Sequence, residues 1–150
     1  MKERKVMNKM CSSILKTSKH IKFVSVVDGN CKLLIGRSRR SGNRRAHSYY
    51  YRLYGYIFYL EYLIFAIDNL KRRPEFAISN KNSIYNSHTR PYFEITGSKS
   101  EAMVAVTALN KGNDKFLCIY FEPAVHGKVQ PVYAMEEFNN LLVKICYNVL

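Results

Sequence analysis

The spacing of apolar positions changes several times along the chain, and each change marks an element boundary. Residues 2–17, KERKVMNKMCSSILKT, place Val6 or Met7, Met10, Ile14 and Leu15 near helical spacing between lysines. Side chains three and four apart share one helix face, so this stretch predicts a short basic amphipathic helix. The period then shortens. IKFVSVVD and CKLLIG are β-branched or aliphatic runs separated by Gly-Asn directly after Asp28, the composition of a tight hairpin. Strands are expected at 21–28 and 31–36, joined through Gly29 and Asn30.

Residues 46–73 read AHSYYYRLYGYIFYLEYLIFAIDNLKRR. At 100° per residue, Leu53, Ile57, Leu60, Ile64 and Ile67 form one stripe of a helix expected over 49–70. Tyr51, Tyr54, Phe58, Tyr62 and Phe65 form a second, roughly opposite stripe, with Glu61 and Asp68 along one boundary. A helix apolar on two faces has to be covered on both. The domain's own sheet is one cover; the second is the same helix of another copy, or a further layer within a monomer. A membrane span is not expected, because the uncharged run at 53–60 is far shorter than the roughly 20 apolar residues a bilayer requires.

Beyond Pro74, EFAIS, YFEIT, AMVAVTAL and FLCIYFE read as strands, punctuated by SNKNSIYNSHTRP, GSKSE and NKGNDK. FLCIYFE is apolar on both alternations, which predicts a central strand covered on two faces. Residues 80–91 read as a polar, flexible insertion. The chain closes on YAMEEFNNLLVKICYNVL, where Met135, Phe138, Leu142, Ile145 and Val149 step by three and four. Glu136 and Glu137 are expected in its first turn, where carboxylates complement the helix dipole. The fold class is therefore α+β in one domain over 1–150. An antiparallel sheet of about five strands carries a long helix between strands 2 and 3, plus N- and C-terminal helices.

A chain of 150 residues buries roughly 70% of its unfolded surface and needs no staples. Cys11, Cys31, Cys118 and Cys146 are scattered singly without a C-x-x-C pair or a signal peptide, so reduced structural thiols and a cytoplasmic location are expected. No phosphate-binding glycine loop occurs. His20, His47, His88 and His126 are far apart and have no partner at metal spacing. No catalytic residue, cofactor or metal ligand is assigned, and an enzyme is not expected. Glu61 has two readings at the edge of an apolar helix face: a buried switch or dimer-register residue, or the partner of a basic residue.

Charge changes the picture more. The net charge is +13, and all of the excess lies in residues 1–73, which carry 17 Lys/Arg against four acids. Such asymmetry points to an anionic partner. Two dense clusters stand out: Arg37, Arg39, Arg40, Arg44 and Arg45 in a basic loop at 37–45, and Lys71, Arg72 and Arg73 after the long helix. About 25 helical residues at 1.5 Å each separate them by roughly 35–40 Å. Antiparallel pairing of that helix in a dimer brings the loop of one copy toward the second cluster of the other. The rival reading is nucleic-acid backbone binding by these arginines, with neighbouring tyrosines stacking on bases; at helical spacing Tyr50, Tyr51 and Tyr54 serve packing equally well.

Two stretches resemble a known family. KHIKFVSVVDGNCKLLIGRSR, residues 19–39, is similar to the first hairpin of small archaeal roadblock-like proteins, and FLCIYFEP, residues 116–123, to their last strand. The element order also resembles that of roadblock and profilin-like domains. The sequence departs from the pattern in having a single Gly36 followed by Arg37 where Gly-Gly is common. The resemblance implies a non-enzymatic, homodimeric platform that pairs through its long helix and strand edges and serves small GTPases and related assemblies; the basic patches of such a dimer suit an acidic protein, a nucleic-acid backbone or an anionic membrane surface.

Overall fold

The structure, a computed structural model, describes residues 2–38, 57–72, 92–98, 102–110, 112, 114–121 and 131–148. In chain order they form α1 (Lys2–Leu15), β1 (Ile21–Asp28), β2 (Leu33–Ser38), α2 (Ile57–Arg72), β3 (Glu94–Ser98), β4 (Ala102–Ala108), β5 (Lys115–Phe121) and α3 (Pro131–Asn148). The strands make one antiparallel sheet in the order β2-β1-β5-β4-β3. The two-sided apolar run FLCIYFE is thereby its middle strand, and every residue from Phe116 to Phe121 is buried.

Alternate residues of β5 feed two cores. Leu117, Ile119 and Phe121 pack with Met10, Cys11 and Ile14 of α1 and with Phe138, Leu142 and Ile145 of α3. Phe116, Cys118 and Tyr120 face the other way, toward Leu63, Ala66, Ile67 and Leu70 of α2. The sheet is therefore covered by helices on both faces, which is what its unbroken hydrophobic middle requires.

Two bulges decide which side chains reach which core. Ile21 pairs with Phe121, but Phe23 pairs with Tyr120, so β1 carries one extra residue at that point. Because side chains alternate strictly along a strand, the extra residue sends Ile21 to the α1/α3 side and Phe23 to the α2 side. On β2, Val26 pairs with Ile35 and Val27 with Leu33, and consecutive residues Leu34 and Ile35 both pack on the α1 side.

The first hairpin differs from its expected form. Its second strand starts at Leu33 rather than at residue 31, and runs on through Arg37 and Ser38. The reason is Asp28, whose Oδ1 accepts the backbone N–H groups of Asn30 (2.8 Å) and Lys32 (2.9 Å). The Cys31 N–H donates to the Asp28 carbonyl at 3.0 Å, and Cys31 itself takes φ 63°. Residues 29–31 thus form a three-residue loop whose left-handed position, most often glycine, holds a cysteine. The β4–β5 connection closes as NKGNDK predicts: Leu109 N–H donates to the Lys115 carbonyl at 2.9 Å, and the Asn110 side-chain amide donates to the Asp114 carboxylate.

The helices refine the stripes. In α1 it is Met7 that is buried, while Val6 remains 38% exposed. The sheet-facing stripe of α2 is centred on Leu63, Ala66, Ile67 and Leu70, so Ile64, on the same expected stripe as Ile67, faces outward. Helix α3 starts at Pro131, a residue suited to the first helical position because its missing N–H is not needed there. That start leaves Glu136 and Glu137 beyond the first turn, contrary to expectation. Residues 49–56, the EFAIS run and residues 80–91 lie outside the described residues, as does Val149; nothing is described of the Met135 side chain.

Candidate functional site

The outer face of α2 is apolar. Phe65 is 59% exposed, Ile64 49% and Tyr62 39%. Helical geometry turns Phe65 about 160° away from the buried Leu63–Ala66–Ile67–Leu70 stripe, with Tyr62 and Ile64 flanking it. Asp68 and Arg72 are exposed on the same helix, three and seven positions after Phe65. The inner side is held by polar contacts as well as by burial. Asn69 donates through its amide to Glu94 Oε1 at 3.1 Å, and the Tyr92 hydroxyl donates to Glu94 Oε2 at 3.0 Å. Lys71 Nζ donates to the Gly29 carbonyl at 3.0 Å, tying the end of α2 to the hairpin loop.

Of the residues expected at a dimer or partner interface, Tyr62 and Phe65 are exposed on this face. Phe58 and Glu61 lie within α2, with side chains outside the described set; Tyr51 and Tyr54 fall outside it altogether. The expected anion-contacting residues are divided. Arg37 sits in β2 and faces α1, where its Nε donates to Asn8 Oδ1 at 2.6 Å. Lys71 and Arg72 end α2, on the opposite side of the sheet. Arg39, Arg40, Arg44, Arg45 and Arg73 lie outside the described residues.

Sequence reasoning missed two contacts. The Asn8–Arg37 bond joins positions 29 apart, and His20 Nε2 lies 3.1 Å from Glu137 Oε1, joining the start of β1 to α3. The His20 ring also meets Phe121 edge-on, with centroids 5.8 Å apart. Neither has a local signal, because each depends on how helices lie across the sheet. His47, His88 and His126 are outside the described residues.

Cys11 and Cys118 are buried, and burial pushes both thiols up, Cys11 from 9.0 to about 12 against the opposing pull of the Arg37 charge. Burial also raises Cys31, with Lys71 acting in the other direction. Such thiols are poor nucleophiles because the thiolate is the reactive form. Among the described residues no three His, Cys, Asp or Glu side chains gather as metal ligands, and no helix is long and apolar enough to cross a membrane.

The sequence matches no protein-family model and none of the curated proteins. Two solved structures from Myxococcus xanthus are similar to it. MglC has a TM-score of 0.44 at 9% identity, covering 94% of this chain and 97% of that one. MglB has a TM-score of 0.43 at 13% identity, covering 100% of this chain and 94% of that one.

Proposed function

We propose that the protein is a non-catalytic interaction module of roadblock type that works as a homodimer paired through α2. The observation that carries this reading is the exposed Tyr62, Ile64 and Phe65 on the helix face turned away from the sheet. Covering one large apolar side chain is worth roughly 1.5–3 kcal/mol, so three on each of two copies supply a substantial driving force. A second copy is the favoured occupant because the exposed charges on the face cancel, so it does not repel its own copy. It carries both Asp68 and Arg72, whereas most of the surrounding N-terminal half is strongly cationic. An antiparallel two-fold centred on Phe65 sets Tyr62 of each copy beside Asp68 of the other, an isologous arrangement.

The element order helix, two strands, helix, three strands, helix agrees with the family resemblance of the first hairpin and last strand. That resemblance supports a small GTPase or a signalling assembly as the partner class. Sedimentation at micromolar concentration tests the assembly. A dimer that Tyr62→Ser with Phe65→Ser converts to a folded monomer is expected. A clean wild-type monomer overturns the reading. The partner class is tested by affinity capture from native lysate with and without nuclease; recovery that depends on nucleic acid favours the phosphate-binding alternative.

A further inference from the structure

A cleft of about 500 Å³ opens between the first turns of α1 and strand β2. This is the size range of small-ligand and short-peptide sites. Arg4, Lys5 and Asn8 line it from the helix, and residues 33–37 from the strand. The lining contains three cations and no carboxylate. Glu3, the one acid in α1, is drawn away by Lys115, whose Nζ lies 2.6 Å from Glu3 Oε1. Arg37 is held in place by its bond from Nε to Asn8, which orients the guanidinium toward the cleft residues of α1.

The floor is different in character. Leu34 is only partly buried, and the bulge between the two β2 registers turns Leu34 and Ile35 together toward α1, whereas the partly buried Leu33 packs on the α2 side of the sheet. Among the described residues strand β2 ends the sheet, with β1 its sole strand neighbour. A sheet edge with three cations on its α1 side and Leu33 on the other suits an extended chain that offers carboxylates and apolar side chains in alternation. A phosphate backbone satisfies the cations but gains nothing from Leu33.

We infer that this cleft docks an extended acidic segment of a partner protein, laid along the β2 edge with its carboxylates on Arg4, Lys5 and Arg37 on the α1 side of the sheet and its alternate, apolar side chains on Leu33 on the other side. Strand addition of this kind draws affinity from main-chain hydrogen bonds and specificity from alternate side chains. The site is separate from the outer face of α2 and does not depend on dimerisation, so either reading can fail alone.

The test uses the full chain and a fluorescent heptapeptide alternating Glu and Val, with a Lys/Val counterpart and single-stranded oligothymidine as comparison probes. Saturable binding of the acidic peptide is expected, with amide shifts concentrated in residues 2–8 and 33–37. Arg4→Ser with Lys5→Ser, both exposed and outside the core, should weaken it roughly tenfold or more. Asn8→Ala, which releases Arg37, should weaken it less. Lys16→Ser with Lys19→Ser removes the same charge elsewhere and should leave affinity within about twofold. Absence of saturable binding, equal binding of the Lys/Val peptide, or equal loss in both double variants overturns the proposal. Displacement of the peptide by tighter-binding oligothymidine through the same residues also overturns it, in favour of phosphate recognition.

Discussion

Gly36 pairs with Ser25 across the β1–β2 ladder, and the Phe23 ring lies where its side chain would be. A Cβ built there meets Phe23 Cζ at 2.7 Å, while Phe23 itself is only 2% exposed. Two effects oppose each other in Gly36→Ala. The alanine gains about 0.5–1 kcal/mol from reduced backbone entropy in the unfolded chain, and overpacking a closed core costs about 1–3 kcal/mol. The variant should therefore be less stable in urea titration, and adding Phe23→Leu should recover part of the loss. The buried thiols are a second residue-scale consequence. In the native state, Cys31 and Cys146 should take a maleimide label well before Cys11 and Cys118, which mass spectrometry of the modified peptides will resolve. Since burial raises the Cys11 thiol to about 12, the folded form holds its proton more tightly than the unfolded one. Its contribution is intact below about pH 9 and declines as pH rises toward 12. Cys11→Ala should accordingly flatten the alkaline fall in stability.

At the scale of elements, α3 is anchored by Phe138, which is fully buried and stacks on Phe121 with centroids 4.7 Å apart. The His20–Glu137 pair at its flank is partly exposed and contributes little by comparison. Phe138→Ala should cost about 3–5 kcal/mol, read as a lowered denaturant midpoint, whereas Glu137→Gln should change it by less than about 1 kcal/mol. Reading elements from the sequence worked where one period dominated. The stripe Phe138, Leu142 and Ile145 predicts the buried face of α3, and the double alternation of FLCIYFE predicts the centre of the sheet. It failed where a side chain altered local geometry. The Asp28 carboxylate caps a longer loop than Gly-Asn indicates, and α2 turns so that Ile64 faces outward while Ile67 of the same stripe is buried. Two nearly opposite apolar stripes cannot tell which one the sheet will take.

Across the whole molecule, the sheet separates the two surfaces proposed to carry function. Arg37 faces α1, and Lys71 and Arg72 end the helix on the other side, so the described members of the two basic clusters lie on opposite sides of the sheet. The outer face of α2 and the α1–β2 cleft consequently make independent predictions, one read by sedimentation and the other by peptide binding. By itself the sequence determined the α+β class with an antiparallel sheet of five strands, the central strand and the apolar character of both sides of α2, because hydrophobic period and turn chemistry are local properties. Only the tertiary structure decided which face of each helix is buried, that single extra residues in β1 and β2 redirect Ile21, Phe23 and Leu34, and that Asn8 meets Arg37 and His20 meets Glu137. Those outcomes depend on strand register and on the packing of elements distant in the chain, where a shift of one residue exchanges inside for outside.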